Sequence, residues 1–401
     1  MIARLTRVHQ RWYALSVSTC LVGACAWGLR AAPVPRDTAA QGVRATTVRD
    51  SMTAVLRRAV ADGAFPGAYA AVGTVGGIIA EVGVGQLDAN DRQRPTAETV
   101  WDLASLTKVI GTTTAVMQLQ QQGKIALDSP VVRYLPEWKA RGASVITVRQ
   151  LLTHSGGLPA WRPIYKEATS ASDALQKLLA TEPDTLPGIR FLYSDIGFIL
   201  LGQLVERVSG EPLAQYDTAH VFGPLGMSDT RYLPPAAWLS RIAPTEVDPW
   251  RQRHLRGEVH DENAAMLGGV SGHAGLFSSG RDLARFARMY LASGTLDGRR
   301  VLDSSTIATF TQVQNLNVSR RALGWETPTG GNSAGGLMSG AAFGHTGFTG
   351  TSLWMDPQQG IFVLLLTNRV NPTRENRKIG TVRSGLADAV ISAWNSTGRR
   401  N

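Results

Sequence analysis

The sequence predicts an α+β fold in which strands from both ends of the chain form one sheet and the middle is a mainly helical insertion. Two β-rich runs lie early in the chain, at 67–75 and 77–84, and two more lie late, at 352–355 and 361–367. Most of the apolar residues between them recur at helical spacing. A sheet that takes strands from both ends of a chain is the arrangement that this order favours.

The individual elements follow from periodicity and from the glycines that interrupt it. Charged and apolar residues alternate at helical spacing over 48–61, which predicts a first helix. Gly76 and Gly77 separate the two early β-rich runs, so these runs are predicted to form a hairpin. A long helix is predicted over 103–121, where Gly123 ends it. Further helices are predicted at 148–152, 196–208, 281–291 and 382–394.

Composition and charge exclude several classes of protein. Of the 401 residues, 43% are hydrophobic and 18% are charged, which is ordinary for a globular protein and excludes disordered, collagen-like and coiled-coil chains. The net charge of +10 lies at the two ends, since residues 1–50 hold seven Arg against two acids and residues 369–401 hold seven Lys or Arg against two acids. A nucleic-acid groove needs a basic folded body, so no nucleic-acid partner is expected.

Residues 1–30 have the pattern of an export signal, with three Arg ahead of an apolar run. Three outcomes stay open: a lipoprotein cut that leaves Cys25 lipidated as a membrane tether, ordinary cleavage beside it, or an uncleaved anchor. Each puts the body outside the cytoplasm, in the periplasm, in the cell envelope or secreted. Cys20 and Cys25 are the two cysteines of the chain, so no disulfide is expected in the body. Residues 31–45 are predicted to be a linker.

Ser105 and Lys108 stand three residues apart at the start of the predicted 103–121 helix, which puts them on one helical face. A serine hydroxyl is a weak nucleophile until a neighbour takes its proton, and a lysine of depressed pKa could do so. A helix N-terminus would add backbone donors for an oxyanion. The same spacing also fits a helix-capping serine beside a solvated lysine.

Tyr193 begins the second motif, Tyr193-Ser194-Asp195, just before the apolar 196–208 helix. A tyrosine next to a lysine can relay a proton, either as phenol or as phenolate. The alternative is a half-buried tyrosine, with Asp195 capping the helix that follows. His154, at the end of the 148–152 helix, is expected to cap or pack rather than to act as a base.

The third motif, His345-Thr346-Gly347, leads into a late strand. Glycine at this point would let a substrate lie against the strand edge and bind the backbone as an added strand does. The Phe348 amide could then be a second oxyanion donor, paired with that of Ser105. The alternative is a glycine-rich turn with an incidental histidine.

Taken in order, the three motifs resemble the serine β-lactamase and penicillin-binding protein superfamily, in its class C β-lactamase and DD-carboxypeptidase branch. The flanks at 151–158, 193–201 and 259–277 are similar to many bacterial serine hydrolases of that branch. The resemblance implies a β-lactamase/transpeptidase-like fold, an antiparallel sheet flanked by helices. It extends over a domain at 46–397, with a sheet region at about 46–104 and 320–397 and a helical region at about 105–319.

The resemblance also implies the roles of the site residues. Ser105 would be the acylated nucleophile, and Lys108 and Tyr193 would share the proton transfers. The amides of Ser105 and Phe348 would form the oxyanion hole. The substrate-binding residues would be Asp195, His345, Thr346 and Gly347.

Two positions depart from the usual pattern of the branch. His345 stands where β-lactamases carry a lysine, which weakens a fixed positive charge for a substrate carboxylate. Asp195 stands where asparagine is usual, and an ionised aspartate cannot donate a hydrogen bond to a substrate amide. It would also hold Lys108 protonated. Both changes disfavour efficient β-lactam hydrolysis and leave acyl transfer intact.

Other residues that could carry chemistry lack a supporting motif. No His-Glu-x-x-His pattern or cysteine pair accompanies His254, His260, Asp261 and His273, so no metal and no cofactor is expected. Arg374 could bind a substrate carboxylate, or it could be a solvated charge near the end of the chain. Glycine-rich nucleotide-binding loops do not occur.

The sequence therefore predicts an exported serine hydrolase that opens an amide or ester bond through an acyl-serine intermediate. Its expected substrate is a small molecule or a peptide, such as a peptidoglycan-derived peptide, a small ester or a β-lactam. Two alternatives stay open: a promiscuous esterase, and a penicillin-binding sensor that is acylated but does not turn over.

Overall fold

The computed structural model describes residues 38–398, within which the chain forms twelve strands and twelve α-helices. The strands are β1 (Gly67–Thr74), β2 (Gly77–Gly85), β3 (Val100–Asp102), β4 (Arg231–Tyr232), β5 (Val247–Asp248), β6 (Arg253–His254), β7 (Leu276–Ser279), β8 (Thr295–Leu296), β9 (Arg299–Arg300), β10 (Phe343–Thr346), β11 (Ser352–Asp356) and β12 (Ile361–Thr367). The helices are α1 (Thr38–Ala61), α2 (Thr114–Gln121), α3 (Val148–Leu152), α4 (Ile164–Glu167), α5 (Ala171–Leu179), α6 (Asp195–Ser209), α7 (Leu213–Asp217), α8 (Gly223–Leu225), α9 (Glu262–Met266), α10 (Gly280–Leu291), α11 (Ser304–Thr311) and α12 (Ile379–Gly398).

The main sheet has five antiparallel strands in the order β10-β11-β12-β1-β2, so both ends of the chain contribute to it. β1 lies between the predicted hairpin partner β2 and the late strand β12, with Ala70 opposite both Val82 and Leu365. The predicted α+β fold, with its antiparallel sheet flanked by helices, is confirmed. β10 is an edge strand of this sheet. The amides of Gly344 and Glu326 each donate to the carbonyl of the other residue, at 3.0 and 2.8 Å, so the edge is paired at that point.

Helices cover both faces of this sheet because residues alternate between its two sides. On one side, α1 and α12 bury residues such as Met52 and Ile391 against Ala70 and Leu365. On the other side, Phe286 of α10 is buried in the same apolar cluster as Tyr69 and Leu364. The second face is continuous with the core of the helical region, which surrounds the apolar helix α6.

A smaller three-stranded sheet, β3-β7-β4, links the helical region to the main sheet. In it, Asp102 of β3 pairs with Phe277 of β7, and the Leu103 amide donates to the Leu276 carbonyl at 2.9 Å. This pairing fixes the chain immediately before Ser105.

The predicted 103–121 helix exists but is not a uniform α-helix. It consists of a 3₁₀ turn at Ala104–Leu106, a π-helix at Lys108–Thr113 and then α2. The Thr114 hydroxyl donates to the Val109 carbonyl at 2.9 Å, five residues back, and thereby supports the wider π turn. π-Helical turns are concentrated at functional sites.

The predicted linker at 31–45 is wrong over its second half, because α1 begins at Thr38. Arg44 accounts for the difference: its guanidinium lies 4.4 Å from the ring centroid of Trp394 on α12, and its Nε donates to the Thr397 hydroxyl at 3.2 Å. The export signal at 1–30, with Cys20 and Cys25, and residues 31–37 lie outside the described residues. Among residues 38–398, no helix has both the length and the apolar character needed to cross a bilayer.

Candidate active site

Ser105 lies in the 3₁₀ turn that follows β3, and this turn is held in a strained conformation. Ala104 has a φ of 44°, which is unusual for a residue with a side chain. The buried Asp102 carboxylate accepts hydrogen bonds from the amides of Ala104 at 2.8 Å and His260 at 2.6 Å. The turn therefore presents Ser105 from a fixed backbone.

Lys108, buried with none of its surface exposed, lies directly beside Ser105. Its ammonium donates to Ser105 Oγ at 2.9 Å and to the His273 carbonyl at 3.1 Å, and it lies 2.7 Å from Asp195 Oδ1. Burial acts to lower the pKa of Lys108, but Asp195 and Tyr193 outweigh burial and raise that pKa above its usual value. Lys108 is therefore an ammonium at neutral pH.

Tyr193 completes the cluster, because the Lys108 ammonium lies 5.1 Å from the centroid of its ring. Burial raises the pKa of Tyr193, against the opposing effect of the Lys108 charge, so the side chain is a phenol at neutral pH. The ring is stacked on His154, with 4.4 Å between ring centroids. His154 Nδ1 also accepts the Ser194 amide at 3.0 Å, so His154 packs against the motif as expected.

Ser194, rather than Asp195, caps helix α6. The Ser194 hydroxyl accepts the Gly197 amide at 3.2 Å, as the side chain of an N-cap does. The alternative in which Asp195 is only a helix cap is therefore wrong. Asp195 is the first residue of the helix, and its carboxylate is free to face Lys108.

The His345-Thr346-Gly347 motif lies at the end of the edge strand β10. His345 is 1% exposed, and its ring centroid lies 6.0 Å from that of Tyr193. Its Nδ1 donates to the Thr346 carbonyl at 2.8 Å. Burial, with the nearby charges of Arg321 and Lys108, lowers the pKa of His345 well below its usual value. The ring is therefore neutral and faces Tyr193.

Gly347 is required by packing within the chain itself. A Cβ atom on Gly347 would lie 2.3 Å from the Leu103 carbonyl oxygen and 2.1 Å from the Thr351 hydroxyl. The glycine is needed because the loop after β10 packs directly on the chain that leads to Ser105.

Two backbone amides in the motif segments have no protein acceptor. Within the described residues, neither the Ser105 amide nor the Phe348 amide donates a hydrogen bond to another group of the chain. The two segments are tied together, since the Thr349 hydroxyl donates to the Asp102 carbonyl at 2.7 Å and the Thr351 hydroxyl to the Leu103 carbonyl at 3.1 Å. Two free amides on linked segments are the donor set that an oxyanion hole requires.

Comparison with known proteins identifies the family of this chain. The family profile named Beta-lactamase matches residues 52–386. A Salmonella typhimurium protein named as a candidate D-alanyl-D-alanine carboxypeptidase is 32% identical over 336 residues, which cover 75% of this chain and 77% of the relative.

The chain belongs to the beta-lactamase family. Solved structures share the fold. EstCE1, described as a hydrolase with promiscuous acyltransferase activity, has a TM-score of 0.70 at 23% identity and covers 87% of this chain and 100% of its own. A penicillin-binding protein homologue from Caulobacter crescentus has a TM-score of 0.70 at 22% identity over 87% and 97% of the two chains. This beta-lactamase family member is thus a serine hydrolase.

A second buried hydrogen-bond network in this beta-lactamase family member contacts Lys108 through the carbonyl of His273. His273, whose carbonyl accepts Lys108, has its Nδ1 2.8 Å from the Ser271 hydroxyl and its Nε2 2.9 Å from Asp261 Oδ1. The His273 charge and hydrogen bond outweigh burial and lower the pKa of Asp261. Ligand atoms of Asp195, Asp261 and His273 lie within 4.8 Å of one another, but the Lys108 ammonium already supplies a cation at Asp195.

The contact between Lys108 and the His273 carbonyl could not be predicted from the sequence, because every residue has a backbone carbonyl. Only the position of His273 within the 259–277 flank pointed to it.

The remaining candidate residues have partners within the protein. Arg374 donates to Glu246 at 2.6 Å and to Glu262 at 2.7 Å, so it is neither a solvated charge nor free for a substrate. His260 lies 2.9 Å from Glu246.

Proposed function

We propose that this chain is an exported hydrolase that opens an amide or ester bond through an acyl intermediate on Ser105. The observation that carries the proposal is the continuous contact from Ser105 Oγ to Lys108 Nζ, at 2.9 Å, and on to Asp195, at 2.7 Å. A nucleophile and a base within hydrogen-bond distance, with the base oriented by a third group, are typical of covalent catalysis.

The proton transfers need the free-base form of Lys108, which is the minor form at neutral pH because Asp195 and Tyr193 raise the pKa of Lys108. The free-base form of Lys108 takes the Ser105 proton as Ser105 Oγ attacks the substrate carbonyl. The Tyr193 phenol gives its proton to the leaving nitrogen or oxygen, and the new Lys108 ammonium restores it. Water then attacks the acyl group and loses its proton along the same path, which returns Ser105 to its starting form.

The amides of Ser105 and Phe348 stabilise the tetrahedral oxyanion in this scheme. Removing one donor of such a pair usually costs about 10²–10³ in kcat. We expect Thr346, at the end of β10, and Asp195, which is paired with Lys108, to contact the substrate.

Esters are a second candidate substrate class, and His345 favours them. Its side chain is neutral and buried, so the position lacks the fixed positive charge that would attract a substrate carboxylate. Neutral ester donors do not need that charge. Peptidoglycan-type peptides remain the leading substrate because the Salmonella relative is named for a carboxypeptidase activity.

The experiment compares two probes on the wild type, Ser105→Ala and the control Ser172→Ala, whose side chain lies on the exposed face of α5. The probes are a p-nitrophenyl ester and a fluorescent penicillin, followed by product release and by gel fluorescence. We expect the wild type and the control to turn over the ester, and Ser105→Ala to lose both turnover and labelling. Stable labelling without turnover of either probe would identify a penicillin-binding sensor instead. Full ester turnover by Ser105→Ala would overturn the proposal.

A further inference from the structure

Two arginines bind the carbonyl groups of the loop that carries the Phe348 amide. Arg383, on α12, donates from Nη2 to the carbonyl of Gly347 at 2.6 Å and to that of Thr351 at 2.8 Å. Arg369, just after β12, donates from Nε to the Phe348 carbonyl at 2.7 Å. The loop thus has cations bound to its carbonyl oxygens.

The contact to Gly347 fixes the direction of the next amide. The peptide between Gly347 and Phe348 is planar and trans, so its carbonyl and its N–H group point to opposite sides. Because the carbonyl points to Arg383, the Phe348 N–H group points away from α12.

The opposite side of the loop faces the turn of Ser105. Thr349 and Thr351 bind the carbonyls of Asp102 and Leu103, the residues that lead into that turn. The α-carbon of Gly347 packs against the same Leu103 carbonyl. The Phe348 N–H group is therefore directed from the arginine side of the loop to the nucleophile side.

Arg383 also changes the strength of this donor. Burial, and then the charge of Arg369, lower the pKa of Arg383 to about 10, which leaves it a cation at neutral pH. A cation on a peptide carbonyl draws electron density through the amide resonance, so the N–H group of the same peptide becomes a stronger donor. The Arg383 Nε atom is buried and has no hydrogen-bond partner among the described residues. The hydrogen bonds of the guanidinium are those that Nη2 donates to the two loop carbonyls.

We propose that Arg383 is a positioning residue for the oxyanion hole, which aims and polarises the Phe348 amide through the Gly347 carbonyl. The inference rests on the proposed acylation of Ser105. Arg383 itself does not touch the substrate in this role. It should therefore act on the tetrahedral state more than on substrate binding.

The test uses Arg383→Met, Arg383→Lys and the control Arg377→Met, which makes the same charge change at an exposed arginine ahead of α12. Two quantities are measured: kcat and KM for a p-nitrophenyl ester, and the inhibition constant of phenylboronic acid, which forms a tetrahedral adduct with an active serine. We expect Arg383→Met to lower kcat by about 10–100-fold with little change in KM, and to weaken phenylboronic acid by a similar factor. Arg383→Lys, which keeps the charge, should recover part of both losses.

Circular dichroism and the melting temperature establish that each variant is folded. If Arg383→Met folds poorly, Arg383→Lys and the boronate comparison decide the question. A folded Arg383→Met with wild-type kcat and wild-type boronate inhibition overturns the inference. So does a loss confined to KM, or an equal loss in Arg377→Met. If the wild type is not acylated, or Ser105→Ala keeps its activity, the proposed function fails instead, and the two failures are distinct.

Discussion

At the scale of single residues, the site is governed by a fully buried lysine whose ammonium is surrounded by oxygen atoms. The Ser105 hydroxyl, the His273 carbonyl and the Asp195 carboxylate all lie within 3.1 Å of Lys108 Nζ. A buried charge is tolerated only when its hydrogen-bonding groups are satisfied and an opposite charge is near. The Ser105 hydroxyl and the His273 carbonyl accept hydrogen bonds from Lys108, and Asp195 supplies the opposite charge. Asp195 thereby limits how much free-base lysine exists at neutral pH.

We expect Asp195→Asn to move the ascending limb of the pH–rate profile to lower pH. The Asp195 carboxylate raises the pKa of Lys108, so its removal lowers that pKa and increases the free-base fraction at a given pH. The measurement is kcat/KM for a p-nitrophenyl ester from about pH 5 to about pH 10. Asp184→Asn, at an exposed position, is the control. Superimposable profiles for Asp195→Asn and the wild type would remove the proposed coupling.

Residue type and spacing were enough to predict contacts that depend on side chains alone. The three-residue spacing of Ser105 and Lys108 predicts their contact because a helical turn brings such positions together. The sequence could not reveal that the turn is 3₁₀ and then π-helical, because that depends on how β3 and β7 hold its start. Nor could it reveal the His273 carbonyl or the buried state of His345, since both arise from the packing of distant segments.

At the scale of elements, α6 positions the second motif and packs unusually close to the 268–275 loop. A Cβ atom on Gly202 of α6 would lie 2.9 Å from the Cα and N atoms of Gly272. Gly272 precedes His273, and its carbonyl accepts the Thr112 hydroxyl at 2.8 Å. The helix that carries Asp195 and the loop that orients Lys108 are thus in backbone contact.

We expect Gly202→Ala to lower both stability and activity, whereas Gly385→Ala should do neither. Overpacking against Gly272 should cost about 1–2 kcal/mol of unfolding free energy after the gain in helix propensity. Gly385 lies in α12 with nothing within 4 Å of its added Cβ, so alanine there should add about 0.5–1 kcal/mol. Urea unfolding and ester kinetics measure both effects. Equal changes in the two variants would contradict the proposed contact.

At the scale of the whole molecule, the two ends of the chain form the main sheet. The insertion between them contains two of the three motifs, those of Ser105 and Tyr193. That both ends of the chain build the sheet was predictable, because the β-rich runs lie at 67–75 and 77–84 and again at 352–355 and 361–367. The edge strand β10 and the order of the strands were not predicted. The early start of α1 was not, since the anchoring partner of Arg44 is Trp394, at the other end of the chain. Short strands such as β4 and β7 also lacked a detectable pattern, because two to four residues carry too little periodicity.

The same core holds a carboxylate whose ionisation should set how the stability of the molecule depends on pH. Asp217 has none of its surface exposed, and the described structure gives its carboxylate one hydrogen bond, from the Tyr232 hydroxyl at 3.3 Å. Burial raises the pKa of Asp217 well above its usual value. The folded state therefore holds a proton that the unfolded chain loses near pH 4.

We expect the melting temperature of Asp217→Asn to exceed that of the wild type by an amount that grows with pH. The pKa of the Asp217 carboxyl is higher in the folded chain than in the unfolded chain. The wild type therefore loses stability progressively as the pH rises from the unfolded-state pKa towards the folded-state pKa, whereas asparagine cannot ionise. Thermal melts at about pH 5, pH 7 and pH 9 give the difference at each pH. Asp50→Asn, at an exposed position of α1, should show no such trend. A difference between Asp217→Asn and wild type that is constant with pH would contradict the prediction.

The most direct measurement is the location of the acyl group after the protein reacts with a p-nitrophenyl ester and is quenched in acid. Peptide mapping by mass spectrometry should place one acyl mass on Ser105, and the adduct should be missing from Ser105→Ala treated in the same way. An acyl group on any other side chain, with Ser105 unmodified during turnover, would contradict the mechanism.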